Sequence, residues 1–263
     1  MLIIGELINT TRKSVREAVD TRSRELILQI ARAQVEGGAH YLDVNCGNLI
    51  QREPAGMEWL VNIIQEEVCL PLCIDTPNPE VMEIGLSLAR HGRPMVNSIS
   101  AEEKRFSTVL PLIVRYKTKV IALCIEDAGV PKTVADRLRI ADRLIADLTA
   151  AGVNEDDIYI DPLVKPLSTD TQFGLDVLET IRGIHTAHPE VHTICGLSNI
   201  SYGLPNRRIL NQTFMIQTMT AGMDAYILDP TDREMAGFLR TSMALLGQDR
   251  YCANYLKAFR SGL

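Results

Sequence analysis

The length, composition and charge of the chain exclude several classes of protein. It has 263 residues, of which 46% are hydrophobic and 23% charged, the composition of a globular protein with a sizeable core. Its formal net charge is -6 and no Lys/Arg cluster stands out, so no nucleic acid is expected as a partner. No apolar run is long enough to span a membrane. The N-terminal MLIIGELIN lacks the basic segment of a signal peptide, so we expect a cytoplasmic protein.

The six cysteines predict neither disulfides nor a zinc site. None belongs to a C-x-x-C pair, and most lie in apolar runs. They are Cys46, Cys69, Cys73, Cys124, Cys195 and Cys252. Free thiols of a protein in the reducing cytoplasm explain this pattern best.

Short apolar runs alternate with longer amphipathic stretches along the chain. The runs predict strands at 2–5, 41–45, 71–75, 95–98, 119–124, 158–161, 192–196 and 225–228. The stretches predict helices at 23–36, 57–67, 79–91, 102–116, 134–151, 172–186, 206–221 and 233–246, then an amphipathic tail at 251–263.

This order of elements predicts the α/β class. Strand–helix units repeated over this length indicate a closed parallel (β/α)₈ TIM barrel, and we expect a single domain over residues 1–263. An open doubly wound sheet is the alternative. That fold usually begins with a Gly-rich phosphate loop, and this sequence has neither G-x-G-x-x-G nor G-x-x-x-x-G-K.

Polar residues lie at or just after the C-terminal end of almost every predicted strand. They are Glu6, Asn9, Asp43, Asn45, Asp75, Asn97, Asp161, Ser198, Asn199 and Asp229. In a barrel the C-terminal strand ends meet at one mouth, where the active site lies. Asp43 and Asn45 share one side-chain direction, and two inward polar groups are costly without a ligand or a shared network.

A polar residue after a strand is also a common turn residue or helix N-cap. That explanation suits Asn78, Asp127 and Asp232. It accounts for any single position better than for a whole ring of them. We therefore expect the ring to surround a ligand.

The residue types in this ring narrow the chemistry. The histidines lie at helix ends or strand starts, away from the mouth, and no H-E-x-x-H or G-x-S-x-G motif occurs. We expect no directly bound metal. Carboxylates and amides suit a flat, nitrogen-rich heterocycle, because a carboxylate accepts two parallel N–H bonds and an amide pairs with a mixed edge.

Several segments together carry a resemblance to a known family. They are IIGELIN (3–9), EGGAHYLDVNCG (36–47), MEWLV (57–61), LCIDTPN (72–78), MVNS (95–98), YIDPL (159–163), GLSNIS (196–201) and NRRILNQTF (206–214). The chain resembles the methyltetrahydrofolate:corrinoid protein methyltransferases of the pterin-binding barrel superfamily. The resemblance implies a homodimeric barrel that moves a methyl group between N5 of tetrahydrofolate and the cobalt of a corrinoid, in either direction.

The resemblance also implies roles for individual residues. Asp75 and Asp161 would be the pterin-binding carboxylates, and Asn97 would contact the pterin. Asn199 would be the catalytic residue, bonded to N5. The neighbours of this site would be Gly196 and Ser198 in the pocket, Arg207 near the folate tail, and Tyr202, where many members carry Gln.

The resemblance leaves two alternatives. Dihydropteroate synthase shares the barrel, but its phosphate loop is replaced here by NTTRKS (9–14), and its Ser-Arg-Lys by SNI (198–200). A non-catalytic folate-binding or corrinoid-docking subunit is disfavoured by the intact Asp75, Asn97, Asp161 and Asn199. The cobalt-ligating Asp-x-His-x-x-Gly motif does not occur. We therefore expect tetrahydrofolate or methyltetrahydrofolate as substrate and a corrinoid (cobalamin) carried by a separate protein.

Overall fold

The computed structural model describes residues 1–260 and contains a closed parallel barrel with β8 paired to β1. The strands are β1 Leu2–Asn9, β2 Tyr41–Asn45, β3 Leu72–Asp75, β4 Met95–Ala101, β5 Lys119–Glu126, β6 Ile158–Asp161, β7 His192–Gly196 and β8 Ala225–Leu228. Closure confirms the predicted (β/α)₈ fold and rules out the open sheet. The last three residues of the predicted domain and tail lie outside the described residues.

Helices surround the barrel in the predicted order. They are α1 Lys13–Asp20, α2 Arg24–Glu36, α3 Glu53–Glu67, α4 Pro79–Leu88, α5 Glu103–Tyr116, α6 Val134–Ala150, α7 Phe173–Ala187, α8 Arg207–Ala221, α9 Arg233–Leu245 and α10 Ala253–Arg260. Helix α1 was not predicted. Only Val15, Ala18 and Val19 of its eight residues are buried, which is too short an apolar stripe to stand out.

Three strands are longer than predicted. β1 has a register shift between Gly5 and Ile8, and β4 has one between Asn97 and Ile99. Such bulges interrupt the two-residue alternation by which a strand is recognised, so the prediction ended too early. The third, β5, continues to Glu126 alongside the extended part of β4.

The three polar residues assigned to local structure have that role. The Asn78 side chain accepts a hydrogen bond from the Glu80 amide (3.0 Å) and caps α4. Asp232 accepts from the amides of Glu234 and Met235 and caps α9. Asp127 accepts from the amide at the start of α5, so it caps the preceding helix.

The barrel interior is layered along its axis. A buried, mostly apolar layer crosses the middle and consists of Ile4, Tyr41, Cys73, Met95, Ile121, Tyr159, Ile194 and Ala225. Because side chains alternate along a strand, the next inward positions lie one layer nearer the mouth. These positions include Asp43, Asp75, Asn97, Asp161 and Gly196. The polar mouth therefore stands on an apolar floor.

The opposite end of the barrel is closed by its own polar contacts. His192 stacks on Tyr159 with ring centroids 4.7 Å apart and contacts Asp224 and Asp156. His40 accepts a hydrogen bond from the amide of Ile3, at the start of β1. These two histidines lie away from the mouth, as predicted. Within residues 1–260, no helix is both long and apolar enough to cross a membrane.

Candidate active site

A cavity of about 460 Å³ opens at the C-terminal ends of the strands. Most of the predicted site residues line it, namely Glu6, Asn9, Asp43, Asp75, Asn97, Asp161, Gly196, Ser198 and Asn199. Asn45, Tyr202 and Arg207 do not line it. Thr11, Arg12, Ser98 and Leu163 line it and were not predicted. The cavity joins residues from strands on all sides of the barrel, as the prediction of one shared mouth requires.

Two amide–carboxylate pairs connect strands at the base of the cavity, one between β4 and β2 across the intervening β3 and one between the neighbouring strands β2 and β3. Asn97 donates to Asp43 (3.2 Å), and Asn45 donates to Asp75 (2.7 Å). Burial raises the pKa of Asp75 to about 6, against the opposing effects of Asn45 and Arg105. Burial, reinforced by the charge of Asp75, raises the pKa of Asp43 well above its usual range. Asn45 thus orients a cavity carboxylate without lining the cavity.

Asp161 is the third carboxylate of the cavity. Burial by the surrounding protein raises its pKa to about 7, although the Leu163 amide donates to Oδ1 (2.8 Å) and opposes the shift. Oδ2 has no hydrogen-bond partner among residues 1–260 and remains accessible from the cavity. A ligand N–H donor would therefore find one oxygen fixed in place and the other unoccupied.

A short helical turn after β7, Leu197–Ser201, carries Asn199 at the cavity. The Asn199 side chain is exposed and forms no hydrogen bond to any other described residue. Arg207 supports the turn by donating to the Ser198 carbonyl (2.8 Å) and to Ser201 Oγ (3.0 Å). The Arg207 guanidinium also lies 6.0 Å from the ring centre of Tyr202, which is exposed on the rim.

Comparison with known proteins identifies the family. The family described as pterin binding enzyme matches residues 5–229. The chain belongs to this family. It is 38% identical over 265 residues to a methylcorrinoid:tetrahydrofolate methyltransferase of Eubacterium limosum, covering 100% of this chain and 97% of that protein. These relationships confirm the predicted class, a methyltransferase of the pterin-binding barrel superfamily.

Two further comparisons cover more distant proteins. This pterin binding enzyme is 34% identical over 242 residues to methionine synthase of Mycobacterium tuberculosis, covering 87% of this chain and 20% of that protein. The chain thus spans about a fifth of the length of methionine synthase. The dihydropteroate synthase structure from Yersinia pestis matches with a TM-score of 0.67 and 17% identity, covering 94% of this chain and 93% of that one. At that identity the likeness concerns the fold alone.

Two arginines of the enzyme that hold the site in place were missed in the sequence. Arg105 of α5 donates to the carbonyls of Ser98 (2.6 Å and 2.9 Å), Pro77 (2.6 Å) and Thr76 (3.0 Å). These carbonyls follow the strand positions of Asp75 and Asn97, so one guanidinium ties the segment just after β3 to the middle of β4.

The second arginine acts behind Asp161. Arg137 of α6 is fully buried, donates to the Pro162 carbonyl (3.1 Å) and pairs with Asp176 (3.2 Å). It fixes the turn in which Asp161 lies. Among the described residues, no group of three or more His, Cys, Asp or Glu residues is arranged to hold a metal ion.

Replacing Gly196 by alanine should lower the methyl-transfer rate of the enzyme several-fold without unfolding it. A Cβ at Gly196 would lie 3.3 Å from Asn199 Nδ2, closer than ordinary contact, so the amide would have to shift. The backbone of Gly196 has φ -72, which alanine adopts freely. Thermal unfolding and steady-state kinetics check this prediction. A normal rate would show that Asn199 tolerates the displacement or takes no part in the reaction.

Proposed function

We propose that this enzyme transfers a methyl group from a corrinoid carried by a separate protein to N5 of tetrahydrofolate. The observation that carries the proposal is the cavity itself, where Asp75, Asn97, Asp161 and Asn199 face one space above an apolar floor. The name of the Eubacterium limosum relative favours this direction of transfer. The same site would also catalyse the reverse reaction, because both directions share one transition state.

The cavity supplies hydrogen-bond partners for a pterin ring. The adjacent N–H groups at positions 2 and 3 of the pterin form a two-donor edge, which an ionised carboxylate accepts in parallel. Asp161 offers an unpaired oxygen for this edge. Asp75 and Asn97 line the same cavity side by side, from the paired strands β3 and β4. Held this way, the ring would present N5 towards Asn199 and the open mouth.

The transfer needs few protein groups. The lone pair of N5 forms the new carbon–nitrogen bond, the electrons of the cobalt–carbon bond stay with cobalt as Co(I), and N5 releases one proton. Charge changes most at N5, so a fixed amide that bonds there more strongly in the transition state lowers the barrier. The exposed amide of Asn199, which lines the cavity, supports this role. An amide stabilises or relays a proton and does not act as a full acid.

The corrinoid would reach the cavity from outside, on its carrier. Large apolar side chains are exposed around the mouth after β6 and β7, namely Leu175, Tyr202 and Ile209. Such side chains beside a concave site indicate an interaction surface. We propose that the carrier contacts them while its macrocycle lies over the mouth.

A two-substrate assay tests the proposal. Methylcobalamin and tetrahydrofolate are incubated with chelator-treated enzyme, and methyltetrahydrofolate is measured by chromatography. We expect product formation, and a methylated carrier protein should act at far lower concentration than methylcobalamin. Folate binding without turnover from either donor would identify a non-catalytic subunit. Condensation of p-aminobenzoate with a pterin pyrophosphate would identify a synthase. Either result overturns the proposal.

We further propose that the enzyme is a cytoplasmic homodimer. The helical pair α9–α10 exposes a group of apolar side chains, namely Leu245, Leu246, Tyr255, Leu256 and Phe259. A second copy of the chain would cover this surface. Light scattering of the enzyme and of the Phe259→Glu variant tests this, and a monomeric mass for the unmodified enzyme would refute it.

A further inference from the structure

A single arginine stands in an otherwise acidic cavity lining. Glu6, Asp43, Asp75 and Asp161 line the cavity, and among the lining residues of the described chain Arg12 is the only cation. Arg12 follows β1 and directly precedes α1, and its side chain is 45% exposed. It therefore lies at the outer part of the cavity, where a ligand bound at the deeper carboxylates would emerge.

The loop backbone at Arg12 is fixed by short hydrogen bonds, whereas the guanidinium of Arg12 is held by one long contact within the described chain. The Arg12 amide donates to the Asn9 carbonyl (3.0 Å), and the Asn9 side chain accepts from Thr11 twice (2.9 Å and 2.8 Å). The guanidinium contacts Glu6 at 3.5 Å, well beyond the length of a strong charge-assisted hydrogen bond. Arg12 is thus positioned by its loop and can exchange its partner.

Arg207 is less available for an anion. Its guanidinium already donates to a carbonyl and a hydroxyl of the turn that carries Asn199. Moving it to a ligand would release that turn. The tail role of Arg207 that the family resemblance implies stays a prediction, and Arg12 is the arginine that lines the cavity.

Tetrahydrofolate carries two carboxylates on its glutamate, and these must pass an acidic rim. Glu6 lies on that rim, and the negative charge of Asp229 is close enough to act on the Glu6 carboxyl group. We propose that Arg12 binds the glutamate carboxylates of the folate tail and so sets the preference of the enzyme for folates over simple pterins. This inference rests on the proposed function. A guanidinium suits the task because its planar donors match a carboxylate in a bidentate pair.

Tetrahydrofolate and 6-methyltetrahydropterin, which lacks the tail, separate this role from general support of the site. The Arg12→Ala variant should bind tetrahydrofolate about 10-fold more weakly, because the 45% exposed guanidinium contributes at the low end of the range for hydrogen bonds to charged groups. It should bind 6-methyltetrahydropterin as the unmodified enzyme does. Calorimetry measures both ligands, and Arg12→Lys should restore part of the tetrahydrofolate affinity.

Lys13→Ala is the matched control. Lys13 is the next residue, is highly exposed and, among residues 1–260, pairs only with Glu17 (3.7 Å), so both affinities should be unchanged. An equal loss for both ligands in Arg12→Ala would overturn the inference, because Arg12 would then act through Glu6. So would a loss seen only with the corrinoid substrate, which would make the bound anion a corrinoid phosphate. Failure of the unmodified enzyme to bind either pterin would instead refute the proposed function.

Discussion

Replacing Asn199 by alanine should lower the rate of methyl transfer by about 100-fold or more, the loss typical of removing a donor aimed at a transition state. Tetrahydrofolate affinity should fall much less. The Asn199 amide lines the cavity without a hydrogen bond to any other described residue, so its removal leaves no protein group unpaired. Single-turnover kinetics give the rate, and calorimetry gives the affinity.

Asn48→Ala is the control for this variant. Asn48 is also exposed, in the turn after β2, but does not line the cavity, so both its rate and its affinity should be normal. Equal losses of rate and affinity in Asn199→Ala would make Asn199 a binding residue only. An unchanged rate would remove it from the mechanism.

Tetrahydrofolate affinity should rise with pH between about 5 and 8, and it should fall in the Asp161→Asn variant. The expected loss in the variant is about 10- to 100-fold, because an unpaired pterin donor in a desolvated pocket costs about 1–3 kcal/mol. The pKa of Asp161 is raised to about 7 by burial, so the acceptor carboxylate forms only as pH rises through that value. The variant lacks this group, so its pH dependence should be flatter. The remaining slope should reflect Asp75, whose pKa burial raises to about 6.

The same pKa gives an opposite effect on stability. Burial makes the pKa of Asp161 higher in the folded protein than in the unfolded one, so ionisation of Asp161 destabilises the fold. The free energy of unfolding therefore decreases as pH rises from about 4 to about 7. At pH 8 Asp161→Asn should therefore unfold at a higher temperature than the unmodified enzyme, and its weak binding cannot come from unfolding. Asp127→Asn, at a carboxylate that caps α5 outside the cavity, should bind normally. Unchanged affinity in Asp161→Asn would show that Asp161 does not bind the pterin.

The fold was predictable because its pattern is regular. β2, β6, β7 and β8 begin and end where the sequence predicts, since their apolar runs are bounded by polar or glycine residues. The bulges of β1 and β4 were not predictable, because a register shift depends on the partner strand. Helix α1 was missed because its packing contacts, rather than its pattern, define it.

The site was predictable where residues follow strands. The ring of Asp and Asn residues could be read from strand ends, whereas Arg12 follows β1 in a loop whose conformation the sequence did not reveal. The two supporting arginines, Arg105 and Arg137, could have been found from their spacing along the helices. Arg105 is in phase with the buried Val109 and Leu112 of α5, just as Arg137 is with the buried face of α6. An arginine on an apolar stripe requires an acceptor in the interior.

The attachment of these arginines limits how the site can be changed or transferred. In this fold the loops after the strands usually vary independently of the outer helices. Here α5 reaches the end of β3 and the middle of β4 through Arg105, and α6 reaches the end of β6 through Arg137. Grafting the catalytic loops onto another barrel would leave both anchors behind. The smallest portable unit of this active site therefore includes α5 and α6 as well as the strands and loops that bear its carboxylates.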